Sequence, residues 1–253
     1  MVPFLGAGQK AIELDSTLAE AQLMVANVRT WFEWDWAGAE IAFRRAIALN
    51  PNYPEARVYY SLFLISTRRP EEGMVQIERA MELDPHNSFS QGIYGINLMF
   101  VGRYDDAIAQ LRNTVAMVPP HRSALWHALH QERMFEEALS EARQFFAGIG
   151  LDEAAEALER GYAEAGYREA MRHAADTLAA RSEQTNVAAT NIAALYVCAG
   201  ERERALEWLE RGFEERDIVM VYLTVDPIWN SVRDDPRFQD LLRRMNLPGR
   251  VDG

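Results

Sequence analysis

Prolines recur at a constant interval of 34 residues in the first half of this 253-residue chain, at Pro51, Pro85 and Pro119. A fixed period of this length indicates a repeat protein, in which one small unit is stacked several times. Before each proline, small or apolar residues recur at steps of four and then three positions, which places them on one face of an α-helix. Because proline interrupts a helix, each helix is expected to end just before it. The residues of this pattern are Ala39, Phe43 and Ala46, then Gly73, Ile77 and Ala80, then Ala107, Leu111 and Thr114.

A second apolar helix is predicted upstream of each of these, over roughly residues 19–32, 54–67 and 88–101. Gly102 follows the last of them, where a glycine suits the left-handed residue that closes a helix. A 34-residue unit of two such helices resembles the tetratricopeptide repeat (TPR) family. The residues that carry the resemblance are Tyr94, Gly95, Leu98, Gly102, Tyr104, Ala107, Leu111 and Pro119 in one unit, and Ile192, Ala193, Tyr196, Gly200, Ala205 and Leu209 in a later one. The small residues Ala107 and Ala205 are expected to let paired helices approach closely.

The units are not uniform. Residues 122–148 form a unit that is about one helical turn short, and residues 151–182 predict two further helices that are interrupted at Gly161 and Gly166. Aspartate followed by proline is a helix-start signal, and it occurs twice near the end of the chain, at Asp226 and Asp235. Because a stacked array must cover its last apolar face, this segment is predicted to be a cap.

The predicted fold is therefore an all-α, right-handed superhelical solenoid of antiparallel helix pairs, with about six repeats and a C-terminal helical cap. Residues 19–148 are expected to form regular repeats, 149–217 divergent repeats, and 218–253 the capping helices and tail. Residues 10–15 nearly repeat residues 79–84, which end a second helix. Residues 1–18 are thus interpreted as the remnant of a truncated repeat, and the chain as the C-terminal part of a longer protein or a truncated reading frame.

Charge and composition exclude several classes of partner. There are 38 acidic against 26 basic residues, a net charge of −12, whereas nucleic-acid binding requires a basic surface. No apolar run approaches the roughly 20 residues that span a bilayer. Cys198 is the only cysteine, which excludes a disulfide within the chain and a Cys-based zinc site. We expect a cytoplasmic location, with no nucleic-acid or membrane partner.

Catalytic motifs are absent from the sequence: it contains no phosphate-binding loop, nucleophile elbow or zinc-protease motif. We predict no enzymatic activity and no cofactor. His127 and His130 are weak candidates for a metal site, because residues three apart share a helix face, and the alternative is a pair of surface or partly packed imidazoles. The less favoured functional alternative is a hydrolase that uses His127, His130 or His173 with a nearby carboxylate.

Three tryptophans, Trp31, Trp34 and Trp36, form the densest aromatic cluster. They could form a stacking platform for a peptide, or they could wedge the connection between two helices. The wedge is favoured for Trp34 and Trp36, whereas Trp31 is expected to face a groove. Cys198 is interpreted as a buried structural thiol.

The TPR resemblance implies a binding function, because in that family the first helices line a concave face that binds an extended peptide or a partner helix. One TPR variety binds acidic tails through lysines and asparagines; here only Asn27 matches, and Lys10 is the only lysine, so an apolar or amphipathic partner segment fits better. For any single groove position, burial in the core is the alternative. The residues that match the groove positions are Glu20, Leu23, Asn27, Trp31, Tyr59, Leu62, Ile65, Phe89, Ile93, Ile96, Met99 and Phe100.

The region from Arg204 to Phe238 is similar to the C-terminal TPR segments of bacterial signalling and transcriptional regulators. That similarity implies the interaction or sensor part of a larger regulator, in which a kinase, cyclase or DNA-binding domain would precede it. The predicted partner is a protein or peptide. The alternative is self-association, in which a homodimer forms through the truncated start or the C-terminal cap.

Overall fold

The computed structural model describes residues 18–185 and 187–247, which contain thirteen α-helices and no β-strand. Consecutive helices pack against each other in pairs, and each pair packs against the next. This confirms the predicted all-α solenoid of helix pairs. The predicted repeat remnant, apart from Leu18, and the tail from residue 248 lie outside the described residues.

Six helix pairs follow one another along the chain, and their helices are numbered here in order. The first three pairs are α1 (Ala19–Val28) with α2 (Trp36–Leu49), α3 (Pro54–Ser66) with α4 (Pro70–Leu83), and α5 (Ser88–Phe100) with α6 (Tyr104–Thr114). The next three are α7 (Arg122–Gln131) with α8 (Phe135–Gly148), α9 (Asp152–Ala165) with α10 (Tyr167–Arg181), and α11 (Ala189–Ala199) with α12 (Arg202–Glu214). A π-helical turn, Arg29–Glu33, extends α1, and a 3₁₀ turn, Pro119–His121, precedes α7.

In five of the six pairs, the turn between the two helices contains one residue in the left-handed conformation. The chain places Trp34, Arg68, Gly102, Arg133 and Gly200 there, with φ angles of 58°, 61°, 83°, 58° and 85°. In the third pair, the N–H of Arg103 donates to the Leu98 carbonyl at 2.9 Å, which closes the helix as expected for this cap. The predicted glycine cap at Gly102 is confirmed. The fourth turn follows early because α7 has 10 residues where α3 and α5 have 13, which confirms the short fourth unit.

Small residues allow the two helices of a pair to pack closely. Ala107 and Ala205, which were expected to allow this approach, are fully buried, and so is Ala39. The predicted interruption at Gly161 is wrong, because α9 continues through it to Ala165. A Cβ at Gly161 would lie 2.6 Å from the Glu169 carbonyl oxygen of α10, so this glycine serves close packing instead. Gly166, with φ of 82°, does separate the two helices.

The last part of the chain is irregular before it becomes helical again. It contains two 3₁₀ segments, Ile218–Tyr222 and Pro227–Ser231, and then α13 (Pro236–Arg244), which packs on α12. The Asp226 carboxylate accepts from the Ile228 N–H at 3.0 Å, and that of Asp235 accepts from the Arg237 N–H at 2.9 Å. Both aspartates are therefore caps, although the first one begins a 3₁₀ segment rather than an α-helix.

Candidate functional site

The first helices of five pairs, α1 through its π-helical extension and α3, α5, α7 and α11, all contact residues 218–231, and the surface they share is called the inner face here. Residues 218–231, called the inner segment, lie on it. The Tyr222 ring stacks on Phe100 of α5 with centroids 5.3 Å apart, and its hydroxyl accepts a hydrogen bond from Trp31 Nε1 at 3.2 Å. The Thr224 hydroxyl donates to the Ser66 carbonyl, at the end of α3, at 2.6 Å. The first half of the inner segment is thus held by the first three helix pairs.

The second half of the inner segment contacts later pairs. The Asp226 carboxylate lies 2.9 Å from Nδ1 of His127 on α7, and both side chains are buried. Pro227–Ser231 packs against α7 and α11, and Trp229 within it is only 1% exposed. The chain therefore uses its own C-terminal segment to fill much of the face that sequence reasoning assigned to a partner.

The residues predicted to line the groove fall into two groups. Glu20 is exposed, and Asn27, Trp31, Tyr59, Phe89, Ile96 and Phe100 are half-buried. The others pack between helices in the core: Leu23, Leu62, Ile65, Ile93 and Met99. Only the half-buried and exposed residues have surface that a partner could reach.

Four rings in a line follow the inner face beside the inner segment. Trp31 lies 5.8 Å from Tyr59, Tyr59 lies 5.9 Å from Phe89, and Phe89 lies 5.7 Å from His121, all between ring centroids. We call Trp31, Tyr59 and Phe89 the aromatic row. His121, which sequence reasoning did not place here, closes one end of it. Its position after Pro119 gave no periodic signal that could have revealed this contact.

Trp34 and Trp36 join the two ends of the repeat array. The Trp34 ring lies 5.3 Å from that of Phe213 at the end of α12, and the Arg216 guanidinium lies over it at 4.0 Å. Trp36 Nε1 donates to the Met245 carbonyl at 2.8 Å. The prediction that Trp34 and Trp36 only wedge the connection between two neighbouring helices is therefore incomplete. These side chains also contact the last pair and the residue after α13.

The two histidines proposed as weak metal ligands have different partners. His127 pairs with Asp226, whereas Nδ1 of His130 lies 3.1 Å from the Tyr167 hydroxyl. The described residues do place Glu164, Glu169 and His173 within ligand distance of one another, with Nε2 of His173 3.0 Å from Glu169. Glu164 is exposed, and such surface ion pairs are common without a metal. Cys198 is a buried free thiol, as predicted, and burial raises its pKa.

Comparison with known proteins identifies a fold and no family. No protein-family model matches the chain, and no curated protein sequence matches it. In structure it is similar to PilW, which is described as a widely conserved type IV pilus biogenesis factor. The TM-score is 0.57 at 20% sequence identity, over 72% of this chain and 86% of PilW. At that identity the likeness shows the fold alone, a TPR-like solenoid of helix pairs.

In the described part of the chain, no helix combines the length and the apolar character that a membrane span needs.

Proposed function

We propose that this chain is a non-enzymatic protein-interaction scaffold that binds a peptide or helix of a partner along the aromatic row of the inner face. The observation that supports this most strongly is that the inner face already binds a polypeptide segment, its own residues 218–231. A surface that holds one segment through aromatic stacking and a few hydrogen bonds has the chemistry to hold another.

The partner segment would dock beside the inner segment and leave it in place. Met220, Val221, Leu223, Ile228 and Trp229 of the inner segment are all at most 1% exposed. Burying side chains of this size contributes about 1.5–3 kcal/mol each, so their release would cost roughly 10 kcal/mol. That cost exceeds what most partner segments could offset. The half-buried rings of the aromatic row need no such displacement.

The aromatic row favours an apolar or amphipathic partner segment. Tyr59 and Phe89 present flat, half-exposed rings, which are good anchors for apolar side chains. Glu20 on α1 and Glu55 on α3 are both exposed. Negative charge at the rim disfavours an acidic partner segment and favours one with basic flanks.

The setting we propose is the interaction part of a larger bacterial regulator in the cytoplasm. The resemblance of residues 204–238 to the C-terminal regions of such regulators supports this setting. The sequence of the reading frame upstream of Met1 tests it, and a kinase, cyclase or winged-helix domain encoded there is the expected result.

A peptide selection tests the binding face. Peptides selected from a displayed random library on the wild-type chain are measured by fluorescence anisotropy on Tyr59→Ala/Phe89→Ala. We expect this double variant to weaken binding at least tenfold, because it removes two aromatic anchors, each worth about 1–2 kcal/mol or more.

The matched control is Ile41→Ala/Val75→Ala, which removes two apolar side chains that are 67% and 59% exposed on α2 and α4. Binding should be unchanged in this control, and both variants should keep the helical circular dichroism spectrum. Selected peptides that bind the aromatic-row variant as tightly as the wild type would contradict the proposal.

A further inference from the structure

A cavity of about 880 Å³ opens between the fourth, fifth and sixth helix pairs. We call it the arginine pocket. It lies at the turns of these pairs, away from the aromatic row on α1, α3 and α5. The lining residues that matter for its chemistry are Arg133, Arg168, Arg202, Phe135, Tyr167 and His130.

Among the described residues, three arginines and no aspartate or glutamate line the arginine pocket. This is unusual in a chain of net charge −12. Arg133 and Arg168 are exposed, and neither forms an ion pair with any residue that the structure describes. Arg202 donates to the Ser231 carbonyl at 2.7 Å and lies 3.3 Å from Asp235. The two unpaired guanidinium groups, those of Arg133 and Arg168, concentrate a positive potential in this concavity.

A second large cavity shows that this charge balance is specific to the arginine pocket. That cavity has a volume of about 830 Å³ and lies between the second and third pairs and the inner segment. It also contains arginines, but Glu71 and Asp234 line it with them. Its charges are therefore mixed, whereas those of the arginine pocket are of one sign.

Three helices begin at the arginine pocket. Helices α8, α10 and α12 begin at Phe135, Tyr167 and Arg202, and all three residues line the pocket. The first turn of a helix carries a partial positive charge from its free N–H groups. Acidic residues in the same three first turns offset this partial charge, so the attraction for an anion comes from the arginines.

One wall of the pocket is flat and aromatic. The rings of Phe135 and Tyr167 are stacked at 4.8 Å, and that of His130 is stacked on Tyr167 at 5.7 Å. Phe135 is 39% exposed, so its ring is available to a ligand. A planar group of a ligand could stack on this surface, with cation–π contributions from the neighbouring arginines.

His130 adds a hydrogen-bonding group without a charge. Burial, together with the nearby His127 and Arg168, lowers the pKa of His130 to about 4, so its ring is neutral near pH 7. Trp126 Nε1 donates to the Tyr167 hydroxyl at 3.2 Å, and that hydroxyl lies 3.1 Å from His130 Nδ1.

We propose that the arginine pocket binds a small organic anion: a phosphate or carboxylate compound that carries a flat ring. Guanidinium groups bind both kinds of oxyanion through paired hydrogen bonds, and the aromatic wall would hold the ring. The volume lies in the range of small-molecule sites. The proposal does not depend on the binding of a partner at the aromatic row.

Isothermal titration calorimetry at low ionic strength and neutral pH tests it with three probes. Adenosine 5′-diphosphate carries phosphate and a ring, phthalate carries carboxylates and a ring, and adenosine carries a ring without charge. We expect at least one charged probe to bind the wild-type chain, and adenosine to bind at least tenfold more weakly. Which charged probe binds more tightly identifies phosphate or carboxylate as the natural group.

Arg133→Ala/Arg168→Ala should weaken binding of the charged probe at least tenfold. The matched control, Arg79→Ala/Arg243→Ala, removes the same two charges from exposed positions of α4 and α13 and should bind as the wild type does. Absence of binding by both charged probes would overturn the proposal, as would equal binding of adenosine or an equal loss in the two variants.

Discussion

Single histidines in this chain differ in chemistry according to what surrounds them. His121 is buried against Phe89, and its Nδ1 has no hydrogen-bond partner among the described residues. The His121 ring packs directly against the backbone of α5, because a Cβ at Gly92 would lie 1.9 Å from that nitrogen. Burial lowers the pKa of His121 to about 4. The imidazole is thus held neutral at neutral pH, in a place where a proton would be costly.

This burial predicts that stability depends on pH. The pKa of an unfolded histidine is about 6.5, and that of folded His121 is about 4. Between these two pKa values the unfolded chain binds more protons than the folded chain does. The free energy of unfolding should therefore decrease as the pH falls from about 6.5 to about 4. Above about pH 6.5 the full contribution of His121 to stability should be present. His130 contributes in the same direction. Urea unfolding followed by circular dichroism at several pH values measures the slope.

His121→Asn removes the titrating group and should make this slope smaller. His86→Asn, at an exposed position, is the matched control and should leave the slope unchanged. A slope that is identical in the wild type and in His121→Asn would contradict the role assigned to His121.

At the scale of the helix pair, the left-handed turn residue is the element that sets the repeat. Trp34, Arg68 and Gly102 occupy this position 34 residues apart. A residue with a Cβ costs about 1–2 kcal/mol in this conformation, and only glycine avoids that cost. Among the five left-handed turn residues, only Gly102 and Gly200 mark the turn in the sequence, and the turns at Trp34, Arg68 and Arg133 depend on the packing of the pair.

Two glycine substitutions separate backbone conformation from packing. A Cβ would meet no atom within 4 Å at Gly102 or at Gly148, but only Gly102 has a positive φ, of 83°. Gly102→Ala should lower the free energy of unfolding by about 1 kcal/mol. Gly148→Ala, near the end of α8, should leave it unchanged or raise it by up to about 1 kcal/mol. Chemical denaturation measures both, and equal effects would contradict the conformational explanation.

At the scale of the whole molecule, the two ends of the repeat array are in contact. Trp34 and Trp36 of the first pair touch Phe213 and Met245, and the inner segment crosses the first helices between them. An open solenoid gains stability from neighbouring units only, so its units can unfold separately. Contact between the ends couples the first pair to the last.

Phe213→Ala should therefore loosen the first pair, although it lies far along the chain. Hydrogen–deuterium exchange measured by mass spectrometry should become at least several-fold faster in α1 and α2. Tyr162→Ala, which removes a 39% exposed ring from α9, should accelerate exchange only locally. Faster exchange confined to α12 and α13 in Phe213→Ala would show that the ends are not energetically coupled.

The amino-acid sequence by itself determined the helix pairs, their 34-residue period, the glycine cap at Gly102 and the aspartate caps at Asp226 and Asp235. Each of these is a local property, because helical periodicity and capping involve residues only a few positions apart.

The tertiary structure alone decided that residues 218–231 fill the inner face and that the array ends meet. It also decided which predicted groove residues lie in the core and that Arg133, Arg168 and Arg202 share one pocket. The contacts responsible join distant positions, such as Trp31 with Tyr222 and His127 with Asp226. Such contacts depend on the summed stacking angles of six pairs, and no local pattern encodes that sum.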